Sequence, residues 1–569
     1  MPDIMAGTIL SPINIWKDFV IPQGVGSEIL AEREEDGFTV TELYIEGRKV
    51  KDGNVKIYAV SVKETGKNNL PAVLLLPDMK DGADLTLAKD IAKRGYEALL
   101  IDLAGSDKDK ERYTVYPESV SYANLKDSVY GECELSEDVT DTCWYEWAAA
   151  AVYAATYLKE RDKNPAVGAI GINGSATVLW QVATFTGVLS CAVFVANAGW
   201  YGYRGISKFG GIAEPQFSDE ALRFIAGVEP QSYAKHVKCP ALLLSPTNSF
   251  VYDADRAYDT VARVPDEIYT AVQYSVGNRE EADCKCYTDA LLFLETFLHP
   301  AKAHVLPGEV GIAGEIREGK LVVAVAPDER DLESVGVYVA EQTIEPYFRC
   351  WRKISAFKEK LEEGYVFEYV PYNGSEKIAF FAEACYKNGF RVCSLIAAKS
   401  FSENDVKKFN KHKIIYSSRK QNMDSIFSCA YENREMPRGL DISGIPEEER
   451  KKGPMDLYGV SGKNGLLTFK INADKYKPDA DSLMMLDVYL PGGGTFYVKL
   501  VADFFGDNRA VYSAGAKVNG GEVWQNIKFE KNKFKTEEGM PLKSYDSIEA
   551  IAFVSEDNKA FIVNNVLWV

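Results

Sequence analysis

The stretch from Pro165 to Gln181, PAVGAIGINGSATVLWQ, holds the residues best placed to do chemistry. A short apolar run, Ala166 to Ile170, stops at Gly171, turns through Ile172-Asn173-Gly174-Ser175 and restarts with helical periodicity from Ala176. Strand, sharp turn and helix in that order present one side chain at the apex of the turn, beside the unpaired N–H groups of the helix start. Acyl transfer at such a turn needs a hydroxyl there, a histidine to take its proton, a carboxylate to orient the histidine and amide N–H groups for the oxyanion. The apex residue is Asn173, whose amide is neither nucleophilic nor titratable. The hydroxyl of Ser175 comes later, where the helix has begun.

The surrounding pattern supplies the elements that must position this turn. Phe38 to Val62 alternate apolar and polar residues around Lys51-Asp52-Gly53, which predicts an antiparallel hairpin. Pro71 to Pro77 is a solid apolar run of the buried parallel type, Leu85 to Arg94 is helical up to Gly95, and Tyr96 to Leu103 is a second buried strand. A polar, acidic insertion from Ala104 to Thr142 is expected to pass over the top of the sheet, and the alanine-rich Trp144 to Lys159 is a strong helix. Further strands are expected at Ser190 to Ala196, Cys239 to Ser245 and Ile268 to Ser275, with a closing helix from Asp289 to Leu298. The fold class is therefore α/β, with a mostly parallel sheet flanked by helices. With the turn at Asn173, this layout resembles the α/β-hydrolase superfamily over roughly residues 36–300, most closely the branch of dienelactone hydrolases and acetyl-xylan-type esterases.

That resemblance implies a G-x-S-x-G elbow with the nucleophile third, and the third residue here is Asn173. Gly168 and Gly171 fall where those esterases place theirs, which favours this register over one that makes Ser175 the nucleophile. The implied histidine follows the last strand, in Val276-Gly277-Asn278-Arg279-Glu280, where Asn278 or Arg279 stands instead. The chain's histidines, His236, His299, His304 and His412, all lie elsewhere. The implied acid follows the Cys239 to Ser245 strand, in Pro246-Thr247-Asn248-Ser249-Phe250, with Ser249 in the place of the aspartate and Asp253 and Asp255 close by. Where relatives carry His-Gly in the oxyanion loop this chain has Pro77-Asp78-Met79-Lys80, and a carboxylate at Asp78 repels a developing oxyanion.

The expectation is a hydrolase-like region without the Ser-His-Asp set, Asn173, Ser249 and Asn278 standing at vestigial positions. It would serve as a ligand-binding or scaffold body with a carbohydrate or small acyl ligand. The alternatives are an esterase using Ser175 as displaced nucleophile, or another apparatus built from Asp78, Lys80, Asp102, Asn173 and Arg279 at the carboxyl ends of the strands. Trp200-Tyr201-Gly202-Tyr203-Arg204 follows a strand end, so Asp78, Asn173, Gly174, Trp200, Tyr203 and Arg279 are the candidate ligand contacts.

After Pro300 the texture becomes all-β. Short alternating runs from Gly308 to Phe401, with a helical interruption near Ile354 to Lys360, suggest a fibronectin-like sandwich, and the runs from about Asn422 onward resemble a carbohydrate-binding-module jelly roll. The expected domains are 1–302, 303–410 and 411–569. In the last, Tyr512 and Trp524 are the candidate sugar platform, with Phe496, Tyr497 and Trp568 as further aromatics that core packing can equally claim.

Composition narrows the partners. A chain of 569 residues with 83 acidic against 65 basic residues carries a formal charge of −18, spread along its length, which disfavours nucleic acid. The cysteines are scattered, and Cys284-Lys285-Cys286 has no neighbouring histidine, so no metal and no cofactor are expected. The N-terminus has Asp3 where a secretory signal wants a cation, and the most apolar runs fall short of the roughly 20 residues of a membrane span, so a cytoplasmic protein is expected.

Overall fold

The computed structural model describes residues 10–79, 85–105, 111–125, 134–161, 166–204, 206–210, 215–249, 251–277, 282, 284–299, 306–341, 346, 349, 351–371, 377–402, 412–418, 440, 448–462, 465–472, 476–504 and 506–569. Its N-terminal region is built on a 9-stranded sheet. The strands are β1 (Ser27–Glu35), β2 (Phe38–Val50), β3 (Gly53–Glu64), β4 (Ala72–Leu76), β5 (Glu97–Ile101), β6 (Val167–Ile172), β7 (Cys191–Val195), β8 (Ala241–Pro246) and β9 (Thr270–Ser275), in the spatial order β1-β2-β3-β5-β4-β6-β7-β8-β9. The first strands pair antiparallel, through β3 on β5, and the pairs from β5-β4 to β8-β9 are parallel. Every residue of β4, β5 and β7 is buried, as expected of strands covered by helices on both faces.

The helices are α1 (Pro12–Trp16), α2 (Leu85–Ala92), α3 (Cys143–Glu160), α4 (Gly174–Val182), α5 (Asp219–Gly227), α6 (Pro230–Tyr233), α7 (Ala254–Val261) and α8 (Cys284–Leu298). Alanine lets α3 lie tightly against its neighbours, since Ala148, Ala151, Ala154 and Ala155 are all fully buried. Helix α4 rises directly from β6 because Gly171 offers no Cβ: one built there would lie 2.9 Å from the Leu179 Cβ and 3.0 Å from the Ala176 Cα. Trp180 on α4 then stacks on Phe194 of β7 with ring centroids 3.8 Å apart.

The insertion after β5 does not ride over the sheet as a polar excursion, insofar as its described residues show. Lys56 and Val115 form an antiparallel bridge along β3, the Tyr116 hydroxyl donates to the Leu103 carbonyl at 2.6 Å, and Val120, Ala123, Leu135 and Val139 are core residues. Asp102 accepts from the Thr114 N–H at 2.9 Å and so anchors this segment.

Beyond residue 306 the described chain is built of strands joined by turns, loops and single-turn 3-10 helices. Two antiparallel sheets lie between Gly311 and Ser400, one of 4 strands and one of 5, and two more, of 6 and 4, follow from Lys413 to Trp568. The helical interruption expected near Ile354 to Lys360 is absent; Arg352–Ile354 and Glu359–Leu361 are short edge strands. Strand Lys413–Tyr416 pairs with the last strand, Ile562–Trp568, so it belongs with the C-terminal sheets.

The N-terminal region and the first β-rich unit share one continuous core cluster. At their seam strand Arg391–Cys393 runs beside β9, and Arg391 donates from Nε to Asp289 of α8 at 2.9 Å. Burial pushes the Asp289 carboxyl up to about 7, against the pull of Arg391. The two β-rich units meet through Arg352, whose Nη2 lies 2.5 Å from Asp487 Oδ2.

Candidate functional site

Because β4 and β6 to β9 run parallel, their carboxyl ends share one edge, and the turns leaving them converge there. At the end of β6, Asn173 has φ 54° and ψ −120°, a conformation that residues other than glycine rarely hold. Three hydrogen bonds to its backbone clamp it. Its N–H donates to Val195 O at 3.0 Å, and its carbonyl accepts from Ala176 N–H at 3.1 Å and from Asn197 Nδ2 at 3.1 Å. This strained apex between β6 and α4, on a sheet of this strand order, is the decisive feature. The N-terminal region is α/β-hydrolase-like.

At the apex the Asn173 Nδ2 donates to Asp78 Oδ2 at 2.6 Å, while the buried Asn173 Oδ1 accepts no hydrogen bond from the described residues. Asp78 comes from the turn after β4, the expected oxyanion loop. Ser175 lies in the first turn of α4, fully buried, with Oγ donating to the Pro77 carbonyl. Gly174 is buried beside it. Lys80, Asn278 and Arg279, on which other expectations rested, lie outside the described residues.

The turn after β7 forms the neighbouring rim. Asn197, fully buried, donates from Nδ2 to Thr177 Oγ1 at 2.8 Å and to the Tyr201 hydroxyl, and accepts from Gly199 N–H at 2.9 Å. Trp200, in the left-handed region at φ 67°, donates from Nε1 to Thr260 Oγ1 at 2.8 Å and lies under the Arg263 guanidinium, 5.1 Å from the ring centroid. Tyr203 packs edge-on against it and beneath Arg256. Both rings are half-buried, held by partners on α7 and its C-terminal side rather than projecting freely. Under them Glu229, fully buried, accepts from Gly202 N–H at 3.1 Å and from Gln231 Nε2, and burial raises its carboxyl above the usual carboxylate range.

The ends of β8 and β9 are occupied by other parts of the chain. Ser249 turns inward and caps: its Oγ accepts from the N–H groups of Val251 and Tyr252 at 3.1 and 3.0 Å. Asp253 caps α7, accepting from Arg256 N–H at 3.1 Å. Asp255 holds Arg349 of the first β-rich unit in a bidentate pair, both side chains wholly buried, and the Arg349 carbonyl accepts from Asn248 Nδ2 at 2.6 Å. Gly277, just beyond β9, lies against Met455 of the C-terminal unit; a Cβ there would come 2.6 Å from the Met455 carbonyl oxygen. Both β-rich units therefore touch this edge of the sheet.

In the C-terminal unit Phe496 and Trp568 are core residues. Tyr512 and Tyr497 pack half-buried against the two C-terminal clusters. Trp524 donates from Nε1 to the Pro454 carbonyl at 2.8 Å and lies over Gly453 and Gly459, which places it behind the turn that carries Met455. Among the described residues, no group of three or more histidine, cysteine, aspartate or glutamate side chains is arranged to hold a metal ion. No described helix is long and apolar enough to cross a membrane.

Sequence reasoning did not find Arg349, Asn197, Glu229 or Met455. Asn197 was within reach, since it directly follows the Ser190 to Ala196 run; Arg349 was not, because its partner lies 94 residues away.

No family model matches the chain, and no curated protein matches it in sequence. Similar solved structures include acetyl xylan esterase from Paenibacillus sp. R4, 12% identical with a TM-score of 0.37, covering 50% of this chain and 92% of that one. Acetyl xylan esterase 1 from Thermoanaerobacterium sp. JW/SL YS485 is 13% identical with a TM-score of 0.37, over 50% of this chain and 92% of that one. A glucuronoyl esterase from Solibacter usitatus is 11% identical with a TM-score of 0.35, over 50% of this chain and 90% of that one.

Proposed function

We propose that the esterase-like region is a non-catalytic binding and assembly body, in which the site edge of a hydrolase sheet has become the meeting point of three domains. The observation that carries this reading is the elbow itself: the apex side chain is Asn173, a non-nucleophilic amide tied to the Asp78 carboxylate at 2.6 Å. A carboxylate in that place opposes an oxyanion, and the buried Ser175 hydroxyl, spent on the Pro77 carbonyl, is a poor candidate to replace the missing nucleophile. The Asp255–Arg349 pair supports the same reading, because it commits one of the two acids that follow β8 to holding the neighbouring β-rich unit.

The ligand class we propose is a carbohydrate or a small acyl compound, contacted by Asp78, Asn173, Gly174, Trp200, Tyr203 and Arg279. The β-rich units are read as a fibronectin-like sandwich and a jelly roll, 303–410 and 411–569, with Tyr512 and Trp524 as the sugar-facing aromatics of a cytoplasmic protein. The deciding experiment is hydrolysis of a short activated acyl ester by the purified protein, by Ser175→Ala, and by a double variant with Asn173→Ser and Asn278→His. Silence of the wild type with slight activity in the double variant supports the proposal. Turnover by the wild type that Ser175→Ala abolishes overturns it.

A further inference from the structure

We infer that Asn173 is a self-modification site, converting through a cyclic imide with Gly174 to aspartate and isoaspartate, so that the elbow gains a carboxylate after the chain has folded. This goes beyond the reading above and does not rest on it. Asn173-Gly174 is a dipeptide in which no side chain shields the second backbone nitrogen. The backbone torsion supplies what the dipeptide alone lacks. In an L residue the Cβ sits about 120° from the backbone nitrogen around the Cα–C bond, by tetrahedral geometry. A ψ of −120° therefore brings the Cβ into eclipse with the next nitrogen, the planar arrangement of the five-membered ring formed when that nitrogen bonds to Cγ.

An unfolded asparagine visits this torsion only in passing; here the bonds to Val195, Ala176 and Asn197 hold it. The leaving atom is also engaged, since Nδ2 donates to the Asp78 carboxylate at 2.6 Å, an anion that favours protonation of the departing nitrogen.

The step balances without any oxidant. The Gly174 nitrogen forms a bond to Asn173 Cγ, the Cγ–Nδ2 bond breaks, and the Gly174 proton leaves with the nitrogen as ammonia. Water then opens the imide. Cleavage at Cγ leaves an aspartate in the original backbone, and cleavage at the α-carbonyl leaves isoaspartate. The aspartate product places a second carboxyl group beside that of Asp78.

The test is peptide mapping by mass spectrometry of the full-length protein, held at neutral and mildly alkaline pH, native and in urea, with isoaspartate scored by enzymatic methylation. Asn388-Gly389 and Asn519-Gly520, both exposed, are internal references. The expected result is conversion of Asn173 in the native protein at no less than their rate, slower conversion of Asn173 in urea, and loss of conversion in Asn173→Gln, whose longer side chain cannot close that ring. Native Asn173 that stays intact while the references convert overturns the inference. So does faster conversion in urea, or aspartate formed with no isoaspartate.

Discussion

The Arg349 guanidinium and the Asp255 carboxylate form a bidentate pair across the seam between the N-terminal region and the first β-rich unit, Nη2 to Oδ2 at 2.7 Å, with neither side chain exposed to solvent. Asp255 sits in the first turn of α7, just past the end of β8, so the pair fixes the first β-rich unit to the site edge of the sheet. Removing one member leaves the other charged and dry. Arg349→Met is expected to destabilise the protein by about 3–5 kcal/mol, whereas Arg349→Met with Asp255→Leu recovers most of that loss. Urea denaturation of the single and double variants is the check, and a double variant no better than the single one shows that the pair is held for something other than charge neutralisation.

Gly277 tests whether the C-terminal unit truly presses on this edge. Its φ is +81°, close to the +76° of Gly66, but a Cβ on Gly66 meets nothing within 4 Å whereas one on Gly277 enters Met455. Gly66→Ala should cost roughly 1–2 kcal/mol from backbone strain alone. Gly277→Ala should cost about 1–3 kcal/mol more, as overpacking does. Equal losses in thermal unfolding would mean that the Met455 turn yields freely.

The parallel half of the sheet was legible because its strands are short, solid apolar runs separated by helical patterns, and the elbow because Gly171 and Asn173-Gly174 break one period and start another. Strand β1 escaped notice: SEILAEREE is mostly exposed at the edge of the sheet and carries no apolar alternation. Ile354 to Lys360 misled because a polar stretch between short edge strands has no buried face to declare its period. In the site, the identity of the apex residue followed from register on the strands, whereas its hydrogen bond to Asp78 did not. The roles of Ser249 as a cap and of Arg349 and Met455 as intruders did not, since each depends on a side-chain partner that spacing along the chain cannot supply.

Glu229 gives a pH test. Burial raises its folded-state pKa above the unfolded value of a glutamate, so the folded state holds its proton more tightly than the unfolded one. The stability this contributes is complete below the unfolded pKa and is lost as pH rises through the folded one. Glu229→Gln keeps an acceptor for the Gly202 N–H and cannot ionise, so its stability relative to wild type should improve as pH rises above the ordinary glutamate range. Denaturation midpoints of the two proteins across acid to mildly alkaline pH should diverge in that direction. Parallel curves would show that water reaches Glu229 and relieves its charge.

The elbow strain can be measured directly by comparing Asn173→Gly with Asn173→Ala. Both remove the bond to Asp78, a charge-assisted bond worth about 1.5–3 kcal/mol. Only glycine takes φ 54° and ψ −120° without the Cβ penalty, which for a residue held in a sparsely populated region is about 1–3 kcal/mol. The two effects nearly cancel in Asn173→Gly, which should therefore lie close to wild type, while Asn173→Ala suffers the lost bond and keeps the strain. The alanine variant is expected to be less stable than the glycine variant by about 1–3 kcal/mol, read as a shift in denaturation midpoint at unchanged slope. The clamp from Val195, Ala176 and Asn197 is what prevents the turn from relaxing when the side chain is cut back. If the two variants prove equally stable, the turn does relax, and the strained apex is then maintained by the Asn173–Asp78 contact rather than by the frame around it.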